Sequence, residues 1–338
     1  MEADCQRRGT DERGSRPGKS PSPRGGDRGA PLTLEGLDAL DALAEENRRT
    51  IPRGQLARHQ GFADISGEVG EIDAQALAEL IDEDIDHALA LLTEMSSATD
   101  RRLAALAARL AGRLVLDVAR GGPVGAQGVG RMVSSAADRF DGDLDLERSI
   151  DALVAAEAGG TSADMADLRV RHWTKPTTAV ALVVDRSGSM SGQRLATAAV
   201  AAAACSHRVP TDWSALVFAD RILVLKSQQD AKAAPPVVDS LLRLRGQGTT
   251  DLAGALTAAA DQLDRSRAKR RVVILLSDCR ATTGADPVAV ARRLDELAVL
   301  APADDADDAE EFAAEVGARF AVIDGPAAIP AAVTRVMA

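Results

Sequence analysis

Three short stretches of this 338-residue chain gather oxygen-bearing side chains at spacings that suit cation chemistry. They are Asp185-Arg-Ser187-Gly-Ser189-Met, then Gly246-Gln-Gly-Thr249-Thr250-Asp251-Leu, then Ser277-Asp278. Alternate spacing on a tight loop lets Asp185, Ser187 and Ser189 converge, and Gly188 permits the turn between the serines. The donors are carboxylates and hydroxyls, with no His or Cys among them. Hard oxygen donors suit Mg²⁺, Mn²⁺ or Ca²⁺ rather than zinc or copper. Mg²⁺ takes oxygens at about 2.0–2.1 Å and keeps several waters. A donor set made mostly of hydroxyls leaves such an ion with spare positive charge, able to accept a carboxylate from another molecule.

Other chemistries fail on the same residues. A phosphohydrolase would need a second acid two residues after Asp185, and Ser187 stands there. A serine hydrolase needs Gly-x-Ser-x-Gly, but Gly188-Ser-Met190-Ser-Gly192 places Met at the centre. Gly14-Ser-Arg-Pro-Gly18-Lys19-Ser20 has three residues between its glycines where a phosphate loop has four. His59, His87, His172 and His207 are scattered, and Cys5, Cys205 and Cys279 form no metal-type pair. The acidic run from Asp304 to Glu311 opens a predicted helix, where the helix dipole and solvation account for it. Trp173 and Trp213 read as packing residues. The expectation is a protein that binds rather than one that catalyses.

Loops of this kind need strands to present them. Residues 178–184 (TAVALVV) and 271–277 (RVVILLS) are continuous apolar runs, the pattern of strands covered on both faces. Further strands are predicted at 213–218, 221–226, 298–301 and 319–323. Helices are predicted at 192–207, 232–243, 252–265, 287–297, about 306–316 and from 327. This alternation predicts a doubly wound α/β fold with a mostly parallel sheet, the tight 218–221 connection making one edge strand antiparallel. In such sheets, ligands bind outside the carboxyl ends of the strands. All three oxygen-rich stretches fall at such ends.

The first half reads differently. Residues 1–31, rich in Arg, Gly, Pro and Ser, read as a disordered basic tail. A small α-helical domain is predicted over 32–158, with one helix over 72–95 and another opened by Asp100 and carrying Leu103, Leu106, Leu110 and Leu114. Gly121-Gly-Pro ends that helix, a glycine-rich loop follows, and a further helix spans 145–157. Residues 159–177 read as a polar connector to an α/β domain over 178–338. Residues 31–175 hold the whole excess of acid, 26 Asp/Glu against 15 Lys/Arg, in a chain of net charge −11. These acids read as a solvated face, with a docking face as the sharper alternative.

Net acidity disfavours nucleic acid as a partner, and 2% aromatic residues leave little for base stacking. No apolar stretch is long enough to span a membrane, and no secretory signal is visible. The cytoplasm is the expected compartment.

The ordered set Asp-x-Ser-x-Ser, Gly-x-Gly-Thr-Thr-Asp-Leu and Ser-Asp, each at a strand end, resembles the von Willebrand factor A (VWA) domain and its metal-ion-dependent adhesion site. The resemblance covers about residues 176–338. It implies hydroxyl ligands from Ser187, Ser189 and Thr250 to Mg²⁺ (or Mn²⁺ or Ca²⁺), with Asp185 and Asp278 holding the ion through water. Thr249 stands where a glycine is more usual, so the choice between the two threonines stays open. Cys279 replaces the glycine common after the second acid and reads as a loop spacer. Asp185-Arg-Ser-Gly-Ser-Met and Ser-Asp278-Cys-Arg-Ala-Thr are similar to bacterial intracellular VWA proteins that accompany MoxR-type AAA+ ATPases, and to the VWA part of magnesium-chelatase D subunits. The likeness implies an adaptor for a MoxR-type AAA+ ATPase that accepts a partner's Glu or Asp at the metal. The alternatives are an accessory subunit of a magnesium- or cobalt-chelatase-like complex and a scaffold with a vestigial metal site.

Overall fold

The computed structural model describes residues 33–35, 50–121, 131–136, 143–165, 167–174, 177–186, 192–244, 246 and 248–338. The tail reading for 1–31 and the glycine-rich loop reading for 125–130 lie outside the described residues.

The two apolar runs form adjacent central strands, as their composition requires. They are β5 (Thr178–Asp185) and β8 (Arg270–Leu276), paired in parallel within a seven-stranded sheet. With β1 (Thr33–Glu35), β6 (Trp213–Phe218), β7 (Ile222–Lys226), β9 (Glu296–Pro302) and β10 (Arg319–Ile323), the order is β1-β7-β6-β5-β8-β9-β10. Successive residues of β5 feed opposite cores: Val180, Leu182 and Val184 one side, Ala179, Ala181 and Val183 the other. That is why the strand reads as unbroken apolar sequence rather than as an alternation.

The β6–β7 hairpin is antiparallel as expected, but β7 is not the edge. The three-residue strand β1 pairs with it in parallel and takes the outer position. Residues 33–35 are too few to carry a readable strand period. The predicted helix over 287–297 is also shorter. A single-turn helix, capped by the Asp286 side chain, ends at Ala291, and β9 starts at Glu296 because Leu297–Ala301 are buried as a strand between β8 and β10.

Helices α1 (Ala74–Glu83), α2 (Ile85–Met95) and α3 (Arg101–Arg120) lie between β1 and the other strands of this sheet. The expected single helix over 72–95 is two. Asp84 leaves the helical conformation (φ −151°, ψ 94°) and accepts a hydrogen bond from His87 N, so it ends α1 and caps α2. Asp100 caps α3 as predicted, accepting from the N–H groups of Arg102 and Leu103. Asp84 and Asp100 therefore cap helices as well as facing solvent.

Within 159–177, the segment read as a connector, β4 (Arg169–Thr174) is the middle strand of a small antiparallel sheet with β2 (Arg131–Ala136) and β3 (Asp143–Leu144). Its sequence is mostly polar, and Val170 is buried between exposed Arg169 and Arg171. Helix α4 (Leu146–Ala158) packs on β4, capped by Asp145, which also pairs with Arg171 at 2.9 Å.

After β5, the chain forms α5 (Gly192–Arg208), then α6 (Ala234–Arg243) and α7 (Leu252–Leu263); α8 (Asp307–Val316) and α9 (Ile329–Met337) follow later. Helix α5 touches β5 and β6 on one side and α2, α3, α6 and α9 elsewhere. Ala198, Ala199, Ala201 and Ala202 are fully buried, so the helix has no solvent face along most of its length. One apolar cluster runs from the sheet through α5 to α2 and α3, and residues 31–338 form one compact unit. At the amino end of the strands, Arg270 holds Glu296 through two hydrogen bonds (2.8 and 2.9 Å), and Arg319 adds a third contact at 3.3 Å. Both arginines also donate to carbonyls at the end of α9.

Two outcomes are expected. Ala199→Leu forces a side chain between α5 and its neighbours and should cost about 1–3 kcal/mol in urea denaturation. The Arg270 and Arg319 guanidiniums hold the Glu296 carboxyl below its ordinary value of 4.5. Its contribution is therefore present above that value and lost as pH falls through the lower, folded one. The stability gap between wild type and Glu296→Gln should be constant at neutral pH and shrink below about pH 4.5 in a urea series across pH.

Candidate functional site

Parallel strands β5, β6 and β8 end on the same edge of the sheet, so the loops that follow them are neighbours. Backbone hydrogen bonds join these loops. Arg186 N donates to Phe218 O (2.8 Å) and Asp251 N to Ala219 O (2.9 Å). Thr250 N donates to Thr282 Oγ1 (2.8 Å), while the N–H groups of Thr282 and Thr283 both donate to Thr250 O. The loop before α7 is thereby fastened to the loop after β8, although the two are distant in sequence.

Asp185 closes β5 with its side chain buried, 6% exposed. The neighbouring strand answers it: Ser277 Oγ donates to Asp185 Oδ2 at 2.7 Å and accepts from Cys279 N at 2.9 Å. A buried carboxylate needs such a donor, since burial without one disfavours its charge. Asp278 follows half-buried, and its Oδ1 accepts from Arg280 N at 3.0 Å. Asp185, Ser277 and Asp278 line one cavity of about 290 Å³, with Arg194 of α5 and Asp304 and Asp324 on its other walls. That volume is at the bottom of the range for small-molecule pockets, about 300–1,000 Å³.

Of the five residues singled out from the sequence, Asp185 and Asp278 thus share a cavity. Thr250 is buried in the loop fastened to the β8 loop, and Thr249 beside it is exposed. Ser187 and Ser189 lie outside the described residues. Among the described residues no group of three or more His, Cys, Asp or Glu stands close enough to hold a metal.

Cys279 has φ +62°, the left-handed conformation that costs a residue with a Cβ about 1–2 kcal/mol. A glycine would meet this backbone without strain. Burial, followed by the carboxylates of Asp278 and Asp185, pushes the Cys279 thiol up from its ordinary value.

Two contributions were not visible in the motif. Ser277 is one: the motif includes it beside Asp278, but its hydrogen bond to Asp185 joins strands far apart in sequence. Arg280 is the other. It pairs with Asp305 (2.6 Å) and Asp308 (2.5 Å), while Asp304 pairs with Arg194 at 3.4 Å. The acidic run at the start of α8 is therefore more than a solvated helix end: it anchors the loop that carries Asp278. Elsewhere, Trp213 is fully buried under Lys226, in keeping with a packing role. His87 bonds the Gln60 carbonyl, a structural contact.

Residues 180–281 match the family model for the von Willebrand factor type A domain, a stretch that contains all five candidate residues. This part of the chain is thus similar to VWA domains. Similar solved structures include a von Willebrand factor type A protein from Catenulispora acidiphila, 16% identical over 49% of this chain and 43% of that one, with a TM-score of 0.39. This chain thus covers less than half of that relative. Others are an aerotolerance-related membrane protein from Bacteroides fragilis (19% identity, 47% and 98% coverage, TM-score 0.38) and the protein BatB from Bacteroides thetaiotaomicron (15%, 47% and 97%, 0.38). A search of curated proteins found no match.

The Ser277–Asp185 hydrogen bond yields a prediction. Hydrogen bonds to charged groups contribute about 1.5–3 kcal/mol. Ser277→Ala should lose stability of that order in urea denaturation with EDTA present, where no metal can contribute.

Proposed function

We propose that this VWA domain works as a metal-dependent adhesion module. Ser187, Ser189 and Thr250 would supply hydroxyl ligands to Mg²⁺, with Mn²⁺ or Ca²⁺ as possible substitutes. Asp185 and Asp278 would hold its water ligands. The bound ion would supply spare positive charge for a Glu or Asp from a protein partner.

The observation that carries the reading is the pairing of Asp185 and Asp278 in one cavity, with Ser277 binding one Asp185 oxygen. Asp185 is thereby oriented before any ion arrives, and Arg280 and its two aspartates restrain the loop bearing Asp278. Preorganised donors lower the cost of collecting ligands around a cation. For the partner we propose a MoxR-type AAA+ ATPase, on the likeness of Asp185-Arg-Ser-Gly-Ser-Met and Ser-Asp278-Cys-Arg-Ala-Thr to that group of VWA proteins. The chain would then act as a non-enzymatic cytoplasmic adaptor.

Isothermal titration of the full chain with MgCl₂ and MnCl₂ tests the metal. Heat of one-site binding is expected for wild type and its loss for Asp185→Ala; a flat wild-type titration removes the reading. Co-purification with a MoxR-type ATPase should follow Mg²⁺, disappear in EDTA and disappear with Asp185→Ala. Retention under all three conditions would assign partner binding to the helical region instead.

A further inference from the structure

Helix α2 grips two segments of the α/β fold with carboxylates two turns apart. Near its end, Glu94 Oε1 accepts from Gly192 N at 2.7 Å. Gly192 is the first residue of α5, three residues after Ser189. In its first turn, Asp86 Oδ1 accepts from Ala327 N at 2.7 Å, in the connection from β10 to α9. The two gripped segments are themselves joined, because Gln193 Nε2 donates to Asp324 O at 3.3 Å. Gln193, Asp324 and Gly325 also line the cavity shared by Asp185 and Asp278. One helix from outside the VWA stretch thus holds a wall of the candidate site.

The fit at Gly192 is close. A Cβ there would meet Ala90 O at 2.7 Å and Glu94 Cγ at 2.8 Å, so only glycine lets α5 begin this near α2. The carboxylate sits at a helix N-terminus, where an unpaired N–H and the helix dipole both favour negative charge. Gln193, the next residue, lines the cavity, so the hold on Gly192 fixes the start of that wall.

We propose that Glu94 is a positioning residue for the metal site, and that α2 thereby sets the site's affinity for its ion. The inference rests on the adhesion-site reading and adds its regulation. By linkage, an ion that favours the gripped arrangement also tightens the hold of α2 on α5. Anything that pulled α2 away, such as a partner bound to the helical region, would then weaken metal binding and carboxylate capture together.

The test is MgCl₂ titration of the full chain as wild type, Glu94→Ala, Glu94→Gln and Gly192→Ala, each with its melting temperature. Coupling energies between linked sites commonly amount to 5–150-fold, so Glu94→Ala and Gly192→Ala should weaken Mg²⁺ by about tenfold. Glu94→Gln keeps an acceptor for Gly192 N and should recover most of that loss. A purely structural contact would lower the melting temperature and leave the affinity unchanged. Wild-type affinity in any folded member of the Ala pair overturns the inference while the metal reading stands. Absence of Mg²⁺ binding in wild type overturns both.

Discussion

The architecture depends on burying α5 from every direction. The sheet lies on one side and α2, α3, α6 and α9 on the others, so its surface must be both apolar and small. Alanine satisfies both demands, because helices can approach closely where side chains stop at Cβ. Larger residues there would open the layers, and polar ones would be stranded in a dry interior. The helical region is consequently part of the same core as the sheet, and a change in α2 has a direct mechanical route to the strand ends.

That route matters because the candidate site is assembled from several separate loops. Their order comes from hydrogen bonds between segments far apart in sequence. Ser277 reaches Asp185, Thr282 and Thr283 hold the Thr250 backbone, and Arg280 ties the Asp278 loop to Asp305 and Asp308. Polar contacts of this kind need fixed partners, since each buried oxygen left without a donor is costly. The left-handed Cys279 marks where the loop turns most sharply, between the acid and the arginine that restrains it.

Much of this was legible along the chain. The apolar runs of β5 and β8 announced strands covered on both faces, and oxygen-rich stretches follow both of them. Asp100 marked the start of α3 through a local bond to its own first turn. Signals failed where the local pattern was weak or served two purposes. The polar strand β4 gains its partners from β2 and β3, which a period of two over few residues does not reveal. Asp84 interrupts an apolar helical period that continues unchanged on either side, so the break between α1 and α2 leaves no mark in the hydrophobic pattern.

The sequence alone determined which chemistry is available: oxygen donors without His or Cys, two of the three stretches following strands and the third lying between two helices. Its apolar runs also determined that a mostly parallel sheet would carry them. Tertiary structure decided which distant groups meet. Glu94 and Gly192 stand 98 residues apart in the chain, and nothing local to either predicts the other. Their contact exists because two helices pack closely enough for a missing Cβ to admit a carboxylate. Periodicity and spacing are read within one element, whereas such proximity is a property of how the layers stack.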